Sequence, residues 1–144
     1  MNLPRLLLRL VLGRRFPLTQ GSLVVDGVRK PVRIGRDAWG VAYVDARSEP
    51  DAWYGLGFCH GQDRTFQLEL LLRVVRGTLA ELIGPEGLPV DRLSRRIGFR
   101  VSAERQLAAL APDVREMLES YVRGVTAGAT RGLPQPPHEL AILR

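Results

Sequence analysis

The sequence SEPDAWYGLGFCHGQDRTFQLELLLRVVRGTLAELIG, residues 48–84, decides the fold of this protein. Ser48, followed three residues later by Asp51, is close to a capping box and predicts that a helix begins here. Pro50 falls in the first turn, where a missing N–H costs little. The apolar residues that follow recur at helical spacing: Trp53, Leu56, Phe66, Leu70 and Val74. Because apolar residues occupy several faces, the pattern predicts a buried helix.

Polar residues interrupt this apolar pattern in the middle of the helix: His60, Gln62, Asp63, Arg64, Gln67 and Glu69. Burying ionised side chains is costly unless they are paired and hydrogen-bonded. His60 lies one helical turn from Arg64, and Glu69 precedes Arg73 in the favourable orientation. The polar residues therefore form either a fixed internal network or a functional site. We favour the network, with Asp63 and Arg64 as structural partners.

The single cysteine, Cys59, directly precedes His60. Adjacent residues on one helix point in different directions, which is poor geometry for a thiol activated by an imidazole. We therefore expect Cys59 to be a small buried apolar residue. One cysteine also excludes an intrachain disulfide framework and a multi-cysteine zinc site. The sequence contains no Gly-rich phosphate loop, H-E-x-x-H or C-x-x-C motif.

The net charge of +6 is unevenly distributed along the 144 residues. Residues 1–36 carry eight basic residues and one acidic residue, whereas residues 37–144 carry thirteen basic and fourteen acidic residues. The body is therefore close to neutral, which argues against a nucleic-acid-binding domain, because such a domain shows a basic face. A hydrophobic content of 45% and a charged content of 25% are typical of a globular domain.

Residues 1–21 form a basic leader segment, in which Arg5 and Arg9 share one helical face. The apolar run in residues 1–16 is too short to span a membrane, and no small-residue cleavage site follows it. The segment is thus not a convincing signal peptide, and the compartment stays unknown. Two interpretations remain: an amphipathic helix that contacts a membrane surface through residues 1–16, or a helix packed on the body.

Beyond the leader the apolar residues recur at every second position, as in β-strands. Residues 23–29 predict a hairpin with a type I′ turn at Asp26-Gly27, because this dipeptide adopts the required positive φ values. Residues 32–34 and 41–44 predict further short strands.

Helices are predicted again after the central stretch, at residues 90–99 and 102–110. Pro112 then begins the clearest amphipathic helix, whose apolar face comprises Val114, Leu118, Tyr121, Val122 and Val125. No internal repeat or linker divides residues 22–144, so we treat them as one domain.

Several strings in this order resemble the penicillin acylase (penicillin amidase) family of N-terminal-nucleophile hydrolases. They are GFCHGQDRTFQLEL at residues 57–70, GTLAELIG at 77–84, and RDAWGV at 36–41. The similarity continues through Asp91, Arg95 and Gly98 and covers roughly residues 22–144. One departure is Ala42-Tyr43, where the family usually has Pro-His.

This resemblance implies an α+β fold: the N-terminal part of the α chain of a four-layer αββα sandwich, mostly helical with a small N-terminal β-hairpin region. It implies an amidohydrolase that cleaves a linear amide between an acyl group and an amine. Its partner would be a β chain, or the remainder of a self-cleaving precursor, which would supply an N-terminal Ser nucleophile. The residues that match family motifs are expected to be structural rather than catalytic: Asp37, Gly40, His60, Gln62, Asp63, Arg64 and Glu69.

The resemblance assigns no cofactor and no metal ligand to this chain. Some relatives bind calcium through an α-chain glutamate, but that position lies beyond the similarity, so calcium is an expectation for the complete enzyme only. The resemblance also implies a periplasmic or secreted enzyme. The one Gly-Ser dipeptide, Gly21-Ser22, precedes the family motifs, and we do not expect Ser22 to be a nucleophile. As an alternative, residues 1–36 would hold a small non-enzymatic helical module at an acidic membrane surface, which would explain the charge asymmetry.

Overall fold

The computed structural model describes residue 13 and residues 15–143, and within them the chain is mostly helical with one two-stranded antiparallel sheet. Strands β1 (Arg33–Arg36) and β2 (Ala42–Asp45) pair in a register that places Ile34 opposite Val44. The helices that follow are α1 (Glu49–Arg76), α2 (Ala80–Ile83), α3 (Leu88–Ile97), α4 (Phe99–Ala109), α5 (Pro112–Arg131) and α6 (His138–Ile142), with a 3-10 turn at Gly84–Gly87. The predicted leader helix lies largely outside the described residues.

Helix α1 is capped at both ends, and its N-terminal cap is the one that the sequence predicts. The Ser48 hydroxyl accepts a hydrogen bond from the Asp51 backbone N–H at 3.3 Å, and Gly77 ends the helix in the left-handed conformation, with φ of 68°. The helix bends at Arg64, whose φ of −130° and ψ of 20° lie outside the helical range.

Helices α1 and α5 pack backbone against backbone through two pairs of glycines. A Cβ atom built on Gly57 or Gly61 would lie 2.1 Å from a carbonyl oxygen of α5. A Cβ atom on Gly124 or Gly128 would lie 2.0 or 2.1 Å from a carbonyl oxygen of α1. Because the two glycines of each helix are four residues apart, they lie on one face. The close approach therefore requires glycine at all four positions.

The core lies beside this helix contact and is small. Its buried apolar side chains are Tyr54, Phe58, Cys59, Leu79, Leu133 and Leu140. Cys59 is buried, as predicted from the sequence. The predicted apolar stripe of α1, from Trp53 to Val74, is only half-buried, because the glycine face and not the apolar stripe meets α5.

The apolar face predicted for α5 is only partly buried. Val114, Tyr121 and Val125 are half-buried, whereas Leu118 and Val122 are exposed. The buried residues of the helix are Ser120, Gly124 and Gly128. A face of small residues has little hydrophobicity, so an apolar periodicity does not identify it.

The hairpin predicted at residues 23–29 is also not formed. Those residues carry only a turn at Asp26-Gly27, and a type I′ turn is ruled out because Gly27 has a positive φ and Asp26 does not. The strands that pair are 33–36 and 42–45, close to the short strands predicted at 32–34 and 41–44.

Asp51 links the segment before the sheet to the start of α1. Its side chain is 1% exposed and accepts hydrogen bonds from the backbone N–H groups of Arg29 (2.8 Å) and Lys30 (3.2 Å) and from the Ser48 hydroxyl (2.7 Å). Burial alone would raise the pKa of this carboxyl group. The hydrogen bonds outweigh burial and hold the pKa below its ordinary value.

Replacing Gly124 with Ala should destabilise the chain by about 3 kcal/mol, because the new methyl group must push the α1 and α5 backbones apart. Urea unfolding followed by circular dichroism measures this loss. Gly35→Ala is the matched control, since a Cβ atom there meets nothing within 4 Å. Equal stability of the two variants would contradict the close helix contact.

Asp51→Asn should destabilise the chain by about 1–3 kcal/mol at neutral pH, because buried N–H donors lose a charged acceptor. Since the folded-state pKa is lowered, the contribution of the carboxylate is fully present above the unfolded pKa of about 4 and is lost as the pH falls through the folded-state pKa. The free-energy difference between wild type and Asp51→Asn should therefore shrink in acid. Glu86→Gln, which alters an exposed carboxylate, should change stability little at neutral pH. If the free-energy difference between wild type and Asp51→Asn instead grew as the pH fell, the lowered pKa of Asp51 would be contradicted.

Candidate functional site

Arg36, at the end of β1, joins the hairpin formed by β1 and β2 to the middle of α1. Its guanidinium donates two parallel hydrogen bonds of 2.9 Å to the two carboxylate oxygens of Asp63. It also donates to the side-chain oxygen of Gln62 at 2.8 Å and to the carbonyl oxygen of Gly40 at 3.1 Å. The Arg36 and Asp63 side chains are 17% and 33% exposed. Such a two-fold arginine–carboxylate contact fixes both distance and orientation.

Gln62 extends these contacts to two further segments of the chain. Its side-chain amide donates hydrogen bonds to the carbonyl oxygens of Leu18 (2.7 Å) and Gly132 (3.0 Å) while its oxygen accepts from Arg36. Since Gln62 is buried, these bonds satisfy a side chain that has little access to water. The residues Arg36, Gly40, Gln62 and Asp63 are called the Arg36 cluster below.

The loop between the strands is held rigidly by Asp37. One carboxylate oxygen of Asp37 accepts from the backbone N–H groups of Trp39 (2.9 Å) and Val41 (2.8 Å), and the other accepts from the Tyr43 hydroxyl (3.3 Å). Gly40 has a positive φ of 83°, which favours glycine. The Trp39 side chain, at the tip of this loop, is 88% exposed.

The residues that match family motifs thus separate into groups. Gly40, Gln62 and Asp63 meet at Arg36, and Asp37 holds the adjoining loop. His60 lies elsewhere on α1 and contacts the Tyr121 hydroxyl through Nδ1 at 2.8 Å.

Glu69 and Arg64 lie further along α1. Glu69 pairs with Arg73 at 2.8 Å, and Arg73 reaches Glu81 at 3.0 Å. Arg64 is exposed, and among residues 15–143 its side chain has one hydrogen bond, to Gln67 at 3.4 Å. The expected pairing of Asp63 with Arg64 is therefore wrong, because Asp63 binds Arg36.

Sequence reasoning missed Arg36 as the partner of Asp63. The signal was the alternation of residues 32–36: Val32, Ile34 and Arg36 share one side of the strand, so the arginine belongs to the side that faces the helix. An arginine at such a position requires a counter-charge from the helix opposite.

The chemistry of the Arg36 cluster is that of a structural junction. Each polar side chain in it is bound to another group of the protein, and none is aligned as a nucleophile with a base. Cys59 lies nearby on α1, and burial raises the pKa of its thiol, which disfavours the reactive thiolate. Within residues 13 and 15–143, no three His, Cys, Asp or Glu side chains gather so as to hold a metal ion.

An open cleft of about 900 Å³ lies beside the cluster, between residues 18–34 and α1. Ser22 lines this cleft, together with Arg36 and Gln62. No hydrogen bond links the Ser22 hydroxyl to a base within the part of the chain that the structure describes, so the geometry supplies no activated nucleophile there.

Arg36→Met and Asp63→Asn should each cost about 2 kcal/mol of folding free energy, between the values typical of exposed and fully buried ion pairs. The double variant should lose less than the sum, because the two side chains interact directly. Arg64→Met is the matched control and should change stability by less than about 0.5 kcal/mol. Chemical denaturation of the variants provides the measurement. Strict additivity of Arg36→Met with Asp63→Asn would rule out the pairing.

Comparison with known proteins identifies the family. Residues 31–144 match the family described as penicillin amidase. The penicillin acylase 2 proenzyme of Pseudomonas sp. (strain SE83) is 41% identical over 128 residues, which cover 89% of this chain and 16% of that protein. The acyl-homoserine lactone acylase QuiP of Pseudomonas aeruginosa is 34% identical over 126 residues, or 88% of this chain and 15% of that protein.

A solved structure gives the same result. The thermostable penicillin G acylase from Alcaligenes faecalis matches with a TM-score of 0.61 and 35% sequence identity, over 67% of this chain and 52% of that chain. The chain thus spans only about a sixth of the first two relatives and about half of this structure. Since the family match covers most of the sequence, the chain belongs to the penicillin amidase family.

Proposed function

We propose that this chain is the N-terminal part of the α chain of an acylase that hydrolyses a linear amide between an acyl group and an amine. The observation that carries this proposal is the match of residues 31–144 to the penicillin amidase family. Supporting it, the relatives are acylases and are several times longer than the matched region. In this proposal the chain belongs to a larger αββα sandwich, whose other part is a β chain or the remainder of a precursor.

The role of this chain in such an enzyme is to form a rigid part of the scaffold. The glycine contact between α1 and α5 fixes two long helices, and the Arg36 cluster fixes the hairpin against α1. Asp37 and Gly40 shape the loop that the hairpin presents. These residues hold backbone in place and carry out no bond-breaking step in the proposed mechanism.

The names of the relatives indicate the substrate class. One set is named for penicillin and another for acyl-homoserine lactones, and both are called acylases. We infer that the bond cleaved joins an acyl group to an amine nitrogen.

Catalysis would come from the other part of the enzyme. A serine hydroxyl is a weak nucleophile, and a free α-amino group on the same residue can serve as its base because that amine titrates near neutral pH. Hydrogen-bond donors that stabilise the developing oxyanion are also needed. The proposal places all three groups outside residues 1–144 and assigns no metal ligand to this chain.

The isolated chain should therefore not hydrolyse amides. Release of a chromogenic amine from phenylacetyl and from aliphatic acyl amides measures this activity, and the Ser22→Ala variant is the control for a local nucleophile. Activity that survives Ser22→Ala would contradict the placement of the nucleophile outside the chain. Activity abolished by Ser22→Ala would make Ser22 the nucleophile.

Supplying the missing part provides the positive test. The matched N-terminal segment of the Pseudomonas sp. SE83 proenzyme is replaced in the whole gene by residues 31–144 of this chain. A chimera that retains amide hydrolysis would support the proposed role. A chimera that folds, cleaves itself and yet shows no hydrolysis would contradict it.

A further inference from the structure

Helix α3 has its polar side buried and its apolar side exposed. Asp91 and Ser94 are the buried residues of this helix. Leu93 and Ile97 are 57% and 54% exposed, and with Val90 they form a stripe at positions i, i+3 and i+7 along one face. A helix on the surface of a globular domain normally shows the opposite arrangement, so the exposed stripe needs an explanation.

The polar side of α3 is buried because its side chains bind the ends of two neighbouring helices. The Asp91 carboxylate accepts hydrogen bonds from the backbone N–H groups of Leu79 (2.6 Å) and Ala80 (2.9 Å), at the start of α2. Arg95 donates to the carbonyl oxygen of Gly77 at 2.9 Å, at the end of α1. These bonds attach α3 to the domain without the apolar stripe. None of these bonds involves the side chains of the stripe, which stay largely exposed.

Basic residues flank the stripe. Arg92 and Arg96 lie one turn apart beside Leu93 and Ile97, and within residues 15–143 neither side chain has a hydrogen bond or an ion pair. Helix α4 continues the basic surface with Arg100 and Arg105 and is exposed along its whole length.

Acidic and apolar neighbours complete this surface. The exposed acids of residues 84–109 are Glu86, in the turn before α3, and Glu104, which pairs with Arg100 at 2.9 Å. Phe99 and Val101 add exposed apolar side chains at the start of α4. The surface thus combines aliphatic and aromatic groups with an excess of unpaired guanidinium groups.

We propose that α3 and the start of α4 bind the surface of an anionic lipid bilayer. Leu93, Ile97 and Phe99 would enter the boundary between headgroups and acyl chains, and Arg92 and Arg96 would bind lipid phosphates. Unpaired arginines beside an apolar stripe are complementary to such a surface in both charge and polarity.

This contact is peripheral. No helix among the described residues is long and apolar enough to cross a membrane. The contact is also separate from the basic residues 1–16.

Co-sedimentation of the full 144-residue chain with vesicles tests the proposal. Vesicles of phosphatidylcholine mixed with phosphatidylglycerol should bind the chain, and vesicles of phosphatidylcholine alone should bind it much more weakly. High salt should reduce binding to the anionic vesicles, because screening weakens the attraction. Failure to bind anionic vesicles would overturn the proposal.

Two double variants locate the contact. Arg92→Gln/Arg96→Gln should weaken binding about tenfold or more, because two charges near the lipid surface are lost. Leu93→Ser/Ile97→Ser should weaken it by at least about tenfold through lost apolar burial. Both pairs are exposed and should leave the thermal unfolding curve nearly unchanged. The matched control, Arg33→Gln/Arg47→Gln, removes two exposed arginines elsewhere and should bind nearly as wild type.

Two outcomes would assign the surface differently. Anionic vesicle binding that neither α3 variant weakens would place the lipid contact in another segment, such as residues 1–16. A dimer in size-exclusion chromatography that dissociates in Leu93→Ser/Ile97→Ser, with no vesicle binding by wild type, would show that a second copy covers the stripe. Either result would refute the bilayer contact through α3.

Discussion

The contact between the backbones of α1 and α5 is the constraint on which the rest of the structure depends. Helices usually meet through side chains at axis separations of about 8–10 Å, but here glycines allow the carbonyl oxygens of each helix to face the other helix directly. Neither helix can rotate or slide without driving a side chain into backbone. Residues that are distant in sequence, such as Gln62 and Gly132, are thereby brought into hydrogen-bonding distance.

Buried polar side chains then attach the remaining segments to this helix pair. Asp51 binds the backbone of residues 29–30, Asp91 binds the start of α2, and the Arg36 cluster binds the hairpin. Each uses a charged group to satisfy backbone or side-chain donors that lack water. A small apolar core is sufficient because these bonds provide much of the specificity of the arrangement.

The exposed surfaces are consistent with a chain that forms only part of its family's enzymes. The hairpin has only two strands, and Trp39 projects from a loop that Asp37 holds in one conformation. Two-stranded sheets are marginal when they stand alone. The α3 stripe is a different kind of surface, because the arginines that border it select for an anionic partner.

The sequence by itself determined the cap of α1 at Ser48, the helices that follow, the burial of Cys59 and the family, because these depend on local residue types and their spacing. The sequence also singled out Gly40, Gln62 and Asp63 among the motif residues. It did not show that these three meet at Arg36 while His60, Arg64 and Glu69 lie elsewhere on α1. Only the tertiary structure decided the pairing of Asp63 with Arg36, the glycine face of α5 and the absence of strands from residues 23–29. The physical reason is twofold. Glycine has no apolar side chain, so a packing face made of glycines gives no hydrophobic periodicity. A charged side chain can pair with any opposite charge that the fold places near it, so its partner is not fixed by local sequence.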